Sequence, residues 1–483
     1  MERALGAHEK ASPLTGSTLF MAALLIGLGN FLVVLDTTIA NVSVPTIAGA
    51  LGVSSTQGTW VITSYAVAEA ITVPLTGWLA KKFGAQRVFL TCYISFAVVS
   101  LLCGLSTSLG MLLGTRVLLG LVGGPIMPLS QILLLRVFPK EKATLGTVLW
   151  AMTTLVGPVA GPILGGIICD TIGWNWIFFI KVPVAAAGGL LLLRLLRGQP
   201  DPKSPAFIDK VGLGLLILWV GALQILLDEG RNQDWFASPE IRTLGVVAAI
   251  GFAAFLIWEL TEKNPIVDLK VFRHRGFAAA ATTYAVGFGG FFASIVLVPL
   301  WLQTNMGYTA TWAGYATGIM GILAVLSAPL VGKAVGRFDV RLIISMGTFG
   351  LAAVMAYRMS FTSDTTFLQM AWPTLLTGTA MVMFFVPVTG LAMASVNPDE
   401  QASAAGLSNF MRTLAGAFAT SLVQTGWSNA ERTNQTELAG AMHTGRFALQ
   451  AIEARGFNMH AATALLTNVV EGQSLMLATL NMF

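Results

Sequence analysis

Residues 156–166 read VGPVAGPILGG, with four glycines and two prolines in eleven otherwise apolar positions. Gly and Pro are the poorest helix formers in water, so the run is out of place in a helix of a soluble domain. In a bilayer the ranking changes, because helices gain little there from mutual hydrophobicity and associate through close packing of small residues. Gly157, Gly161 and Gly165 recur at every fourth position and form one smooth stripe, with Pro158 and Pro162 on the adjacent stripe, where they bend the helix locally. Two readings of the stripe stand side by side. It is a packing face for a neighbouring helix, or a bending, sliding surface used in alternating access.

The rest of the chain fits the same solvent. Its 483 residues are 55% hydrophobic and 11% charged, with a mean hydropathy of +0.74, whereas soluble domains carry about 25% charged residues. Apolar runs long enough to cross a hydrocarbon core of about 30 Å recur along nearly the whole length. They are continuous rather than alternating, which excludes a β-barrel. Reading the runs between charge clusters predicts thirteen spans, at 18–41, 59–79, 88–105, 110–135, 143–169, 174–196, 211–228, 241–260, 276–302, 311–332, 341–359, 368–393 and 404–427. The first run is too long for the apolar core of a cleaved signal peptide and reads as a retained span.

Orientation follows the basic residues. With the N-terminus in the cytoplasm, the inner loops hold Arg3, Lys10, Lys81, Lys82, Arg87, Arg136, Lys140, Lys142, Arg194, Arg197, Lys203 and Lys210. They also hold Lys263, Lys270, Arg273, Arg275, Lys333, Arg337 and Arg341, which brings the count to 19 of 28. The outer loops around 42–58, 105–110 and 303–310 carry none. The net charge of +5 is thus explained by topology, and no basic cluster suggests nucleic acid as a partner. After the thirteenth span a mixed-charge segment begins at Ser428, and the last apolar piece, 474-SLMLATLNMF-483, is too short to cross. The expected ending is an outside loop over 428–473 and a truncated final helix, the last helix being missing from this chain.

The segments 74-PLTGWLAKKF-83 and 329-PLVGKAVGRF-338 share P-L-x-G, a basic ninth residue and a tenth-position Phe, each downstream of a Thr-Trp pair (Thr59–Trp60, Thr311–Trp312). Two related halves point to a transporter built from parallel repeats, with its site near the midplane between them. Spans 211–228 and 241–260 lie between the halves without a counterpart in either.

Ionisable residues inside spans are expensive and mark function by default. Asp36 is a candidate proton-exchanging carboxyl, against a satisfied structural Asp. Glu69 is a second, as a cavity carboxyl or one facing a polar neighbour. Arg116 needs carboxylate or carbonyl partners, either in a switchable pair with Asp36 or another acid, or as a static brace. Arg412 plays a comparable part in the last complete span, with Asn409 one turn earlier. Gln131, Gln224 and Gln424 read as packing hydrogen bonds. The basic loop 77-GWLAKKFGAQR-87, bracketed by Gly77 and Gly84 and carrying Lys81 and Arg87, reads as a gate latch at the cytoplasmic face. Cys92, Cys103 and Cys169 read as inert buried thiols. No nucleotide loop, metal cluster or nucleophile constellation is present in the sequence, so neither an enzyme nor ATP as energy source is expected.

These stretches resemble a known family. The loop 77–87 is similar to the signature between the second and third helices of the major facilitator superfamily, and 157-GPVAGPILGG-166 to its fifth-helix antiporter motif. The stretch 35-LDTTIANVSVP-45 resembles the first-helix motif of the fourteen-helix drug:proton antiporters. The stretches 57-QGTWVITSYAVA-68, 174-WNWIFFIKVP-183, 264-NPIVDLKVF-272 and 407-LSNFMRTLAG-416 resemble the EmrB-like branch. The resemblance implies an all-α polytopic membrane protein of the major facilitator fold. Residues 1–200 would form a six-helix bundle, 201–262 two linker helices, and 263–483 a second bundle of five complete helices, a periplasmic loop 428–473 and the truncated final helix.

It further implies proton-driven export of hydrophobic drugs and uncouplers, with no cofactor. The setting would be the bacterial inner membrane, beside an EmrA-like periplasmic adaptor and a TolC-like outer-membrane channel. Asp36 becomes the proton or cation-substrate carboxyl and Arg116 the arginine of proton coupling. Gly77, Lys81, Gly84 and Arg87 become the gate loop, and Gly157, Pro158, Gly161, Pro162 and Gly165 the antiporter motif. Glu69 is a carboxyl where the family pattern requires none. An exporter of one endogenous metabolite or siderophore, and a non-transporting docking subunit, are the alternatives.

Overall fold

The computed structural model describes residues 16–139, 142–203, 207–441, 449, 452 and 458–482. Arg3, Lys10, Lys140 and most of 442–457 of the expected outside loop lie outside the described residues. The fold is all-helical, and eleven helices among the described residues are long and apolar enough to cross a membrane. In chain order the first bundle contains α1 (Gly16–Leu51), α2 (Ser55–Thr72), α3 (Thr76–Phe83), α4 (Ala85–Gly104), α5 (Leu109–Gly123), α6 (Ile126–Val137), α7 (Ala143–Thr171), α8 (Trp176–Phe179) and α9 (Lys181–Leu195). An antiparallel pair follows, α10 (Lys210–Glu229) and α11 (Pro239–Thr261). The second bundle contains α12 (Arg275–Thr304), α13 (Ala310–Gly318), α14 (Met320–Val335), α15 (Val340–Arg358), α16 (Phe367–Ala394) and α17 (Gln401–Ala441), followed by α18 (Met459–Met482).

Several expected spans are broken helices. Pro74 falls in the break between α2 and α3, and Pro125 in that between α5 and α6, because Pro removes a backbone donor and crowds the preceding turn. The repeat is not broken at the same place, since Pro329, the counterpart of Pro74, lies inside α14 and the break between α13 and α14 falls at Ile319. Ser54 caps α2 through the Gln57 backbone N–H, and Thr309 caps α13 through that of Trp312.

The glycine stripe of α7 packs against α1. A Cβ at Gly157 would stand 2.5 Å from Val34 Cγ1, one at Gly165 2.6 Å from Val42 Cγ2, and one at Gly161 would strike Thr38 Oγ1. Thr38 Oγ1 also donates to the Gly157 carbonyl at 3.2 Å, and Asn30 Nδ2 reaches Thr153 and Thr154 Oγ1 at 2.9 and 2.8 Å. The stripe is therefore a packing face inside the first bundle, a reading compatible with its use as a bending surface. The surface of α7 that meets the second bundle carries Val159 and Ile163, opposite Gly314 and Gly318 of α13. Pro158 is buried and Pro162 half-buried beside the stripe.

The pair α10–α11 lies along the seam between the bundles. α10 packs on α2 and on α17, with Trp219 edge-on to Phe410 at 5.9 Å and Ser421 Oγ donating to the Leu227 carbonyl at 2.8 Å. α11 packs on α10 and is otherwise mostly exposed, with Ile250, Ile257 and Leu260 more than 60% bare. Such apolar surface is costly in water and cheap against acyl chains.

Two expectations about the ends are corrected. α1 runs through Pro45 to Leu51, so part of the first outside loop is helix. The segment 428–473 is not simply a loop, because α17 continues to Ala441 and α18 returns antiparallel beside it. Trp427 Nε1 donates to Thr479 Oγ1 at 3.0 Å, and Asn434 Nδ2 to the Ser474 carbonyl at 3.3 Å. The apolar end of α18 packs with Leu297 of α12 and Trp427, while Met459–Gly472 is largely exposed. The apolar residues of this helix are interrupted at its middle by 471-EGQS-474, so it holds no continuous apolar run of membrane length.

The α1–α7 contact yields a stability test. Gly161→Val is expected to destabilise by about 1–3 kcal/mol through overpacking against Thr38. The readout is the thermal midpoint of the purified protein. Gly214→Ala on α10, where an added Cβ meets nothing within 4 Å, is the control and should leave the midpoint unchanged or slightly raised.

Candidate functional site

Burying a carboxylate is tolerable only with full compensation. Asp36, on the side of α1 away from the residues that grip the glycine stripe, has no exposure and a cation on each oxygen. Oδ2 accepts from Arg116 Nη1 of α5 at 2.6 Å, and Oδ1 pairs with Lys181 Nζ at the start of α9. Both cations are also fully buried. Arg116 is placed by a hydrogen bond from Nε to the Val61 carbonyl at 2.9 Å and by the Tyr65 ring 4.4 Å below its guanidinium. Lys181 sits 4.9 Å from the Phe178 ring centroid and 5.9 Å from that of Phe96. Four helices thus hold one ionic triad, and its oxygen atoms are saturated. Arg116 Nη2 and the Tyr65 hydroxyl beside it have no partner.

Glu69 lies one turn beyond Tyr65 on α2, 7% exposed, and accepts no hydrogen bond among the described residues. It is close enough to feel the charges of Arg412 and Arg116. Arg412 of α17 does not approach Asp36. Its Nη2 rests 2.7 Å from Met127 Sδ, its guanidinium lies 4.7 Å from the Phe288 centroid, and its Nε is unpartnered. Asn409 Nδ2 donates to Gln131 Oε1 at 3.2 Å, a hydrogen bond from the second bundle to the first, and its Oδ1 is left without a donor.

The loop residues are brought to the other face of the seam. A Cβ at Gly77 would lie 2.8 Å from Ser403 Cα, so the bundles touch there with only a hydrogen atom between them. Lys81 Nζ reaches Asp268 Oδ2 at 3.4 Å, from one bundle to the segment that leads into the other. Gly84, at φ +93°, permits the carboxylate of Asp201 to sit where a side chain would be. Asp201 caps α4 by accepting from the backbone N–H groups of Gln86 and Arg87 at 3.1 and 3.0 Å, so Arg87 contributes its backbone. Nearby, Glu400 accepts from Arg273 Nη2 at 2.5 Å and pairs with His274 Nε2 at 2.8 Å. Burial pushes its carboxyl up, but the His274 and Asn397 hydrogen bonds and the Arg273 charge outweigh this and hold it below the usual range.

Sequence reading did not single out Lys181, although it lies inside the predicted span 174–196 and the rule that found Asp36 and Arg116 applies to it. Arg358 was likewise passed over as the end of a span. It is 3% exposed in the second bundle, with Nη1 2.5 Å from Ser294 Oγ and Nη2 3.1 Å from Thr374 Oγ1. Ser294, Thr317, Thr374 and Thr377 line a cavity beside it with room for about one water.

Comparison with known proteins agrees with the geometry. The Major Facilitator Superfamily profile matches residues 26–420. The multidrug export protein EmrB of Escherichia coli is 42% identical over 481 residues, covering 98% of this chain and 94% of its own. The fatty acid resistance protein FarB of Neisseria gonorrhoeae is 41% identical, covering 96% and 90%. Among solved structures, the proton:xylose symporter XylE superposes with a TM-score of 0.58 at 15% identity, over 96% of this chain and 95% of that one, a likeness of fold alone. Two helical bundles meeting along a seam, an ionic triad buried in the first, and a match over most of the chain lead to one conclusion: this multi-pass membrane protein belongs to the Major Facilitator Superfamily and is EmrB-like.

Proposed function

We propose that the protein is a proton-driven antiporter that exports hydrophobic drugs and uncouplers across the bacterial inner membrane, with its N-terminus in the cytoplasm and the imposed proton gradient in place of any cofactor. The observation that carries this reading is the Asp36 triad. A carboxylate with a cation on each oxygen is opposed by two positive charges when it takes up a proton, until Arg116 or Lys181 withdraws and opens a favourable site. Because the three residues come from α1, α5 and α9, a shift of one helix against the others opens that site. Protonation at Asp36 then removes the charge that held the two cations, and loss of the proton on the other side draws them back. The alternation of sides comes from rocking of the bundles about the seam.

The relatives' names support the cargo class, multidrug export for EmrB and fatty acid resistance for FarB. An EmrA-like periplasmic adaptor and a TolC-like outer-membrane channel complete the proposed pump. A second reading, one endogenous anionic lipophile as cargo, is favoured by the charge balance. In the two bundles the buried bases Arg116, Lys181, Arg358 and Arg412 outnumber the buried acids Asp36 and Glu69, while Glu229 and Glu259 sit on α10 and α11.

The deciding assay is ethidium and oleate movement in proteoliposomes with an imposed pH gradient. Gradient-dependent movement of ethidium that nigericin abolishes supports the antiporter, and oleate movement alone supports the second reading. Movement of neither, in correctly inserted protein, removes both. Asp36→Asn is expected to abolish the gradient-dependent component. It should also destabilise the fold by about 3–5 kcal/mol, since two buried cations lose their partner, read as a lower thermal midpoint. Lys181→Met should cut the gradient-driven rate by roughly tenfold or more, while Lys181→Arg, which keeps the charge, retains most of it.

A further inference from the structure

The triad leaves Glu69 unexplained. It is a buried acid in the middle of the fold, on α2 at the seam, with no hydrogen bond to hold its charge among the described residues. Every helix packed on α2 presents a charged group, and Arg412 is the one from the second bundle; Arg116 of the first bundle, with Nη2 unpartnered, is otherwise committed to Asp36 and Val61. α1 presents Asp36, which is saturated by its two cations. α5 presents Arg116, whose Nη1 and Nε are spent on Asp36 and Val61. α10 presents Asp228, which lies nearly two turns away beside Thr63 and Gln224. α17 presents Arg412, whose guanidinium meets the Met127 thioether and the Phe288 ring and whose Nε is unpartnered among the described residues. Among the incompletely satisfied ionisable groups of this region, Glu69 and Arg412 belong to opposite bundles, and the Gln131–Asn409 hydrogen bond shows that the bundles are in polar contact there.

We propose that Glu69 is a second proton-carrying carboxyl, paired across the seam with Arg412, so that each transport cycle moves two protons and the second one releases an attraction between the bundles. This rests on the antiporter reading above. Ionised, Glu69 attracts Arg412 and draws α2 towards α17. When a proton from the outer water binds a Glu69 carboxylate oxygen, the acid becomes neutral, the attraction ends and the bundles are free to part. The proton leaves to cytoplasmic water, Glu69 is again an anion, and Arg412 recovers its counter-charge. No other species is consumed. Asp36 reports movement within the first bundle, whereas Glu69 reports contact between bundles, which gives the two carboxyls different work.

The test is stoichiometry. With the membrane potential clamped at zero by potassium and valinomycin, proteoliposomes of the full chain are set at a series of pH differences. The ethidium ratio that gives no net flux is then found at each. The logarithm of that ratio rises with the pH difference with a slope equal to the number of protons exchanged. The expected slope is about two for the wild type and for Glu69→Asp, and about one for Glu69→Gln and Arg412→Gln, whose centre can no longer cycle. A wild-type slope of one, or an unchanged slope in Glu69→Gln, overturns the proposal. The wild-type slope decides it even where the variants fail to fold. No gradient-driven flux in the wild type brings down the antiporter reading and this one with it. A wild-type slope of one that disappears in Asp36→Asn removes only the role of Glu69.

Discussion

The rest of the structure is arranged around the cost of placing Asp36 in a solvent-free interior. Moving a carboxylate out of water is so unfavourable that several helices must be held in register to compensate it. Arg116 is fixed from α2 by a carbonyl and an aromatic ring, and Lys181 is boxed by Phe96 and Phe178. α1 is pressed into place by α7, whose three stripe glycines leave no space between the backbones. The concentration of Gly and Pro in 156–166 and the lone acid in 29–45 are thus one feature seen from two helices. The stripe brings α1 close enough for its carboxylate to be shared by α5 and α9.

The two faces of α7 divide the work. The glycine face makes a close contact, with Val34 and Thr38 standing where side chains on the glycines would be and Thr38 bonded to the Gly157 carbonyl. The opposite face meets α13 through Val159 and Ile163 against glycines, a contact without hydrogen bonds. A surface of branched apolar groups on small residues can separate at little polar cost, since neither side loses a hydrogen bond. The same contrast holds across the seam near the basic loop, where Gly77 on Ser403 is tight and Lys81 to Asp268 is a half-exposed pair of small worth. Motion between bundles is therefore expected where the contacts are apolar and small, while the α1–α7 contact stays closed.

Class, fold family and most span positions were legible in the sequence because bilayer helices must be long and apolar, and that constraint acts on every residue of a span. Asp36, Glu69, Arg116 and Arg412 were legible for the converse reason, as charges where hydrocarbon forbids them. Lys181 was equally legible and was missed because it stands near a span's start, where a cation reads as flanking. The pairing of Asp36 with both cations was not readable, since spacing along three separate helices does not fix which faces converge. Asp201 and Asp268 were hidden for a simpler reason. They act from linkers on residues more than a hundred positions away, where no periodicity exists. The length of α17 beyond the predicted span 404–427 and the extent of α18 escaped because their mixed polar and apolar residues lack a continuous apolar run.

The inserted pair α10–α11 alters what the seam can do. α10 lies over the line where α2 meets α17, and Trp219, wedged against Phe410, covers the level of Asn409 and Arg412. On the proposal above, a cover of this kind would leave the seam as the proton's route to Glu69, open to one compartment at a time. A two-bundle fold without the pair would expose this carboxyl to the bilayer, where its charge would be hard to sustain. Glu69 and the linker helix are therefore best understood together, the acid being tolerable at the seam because α10 covers it.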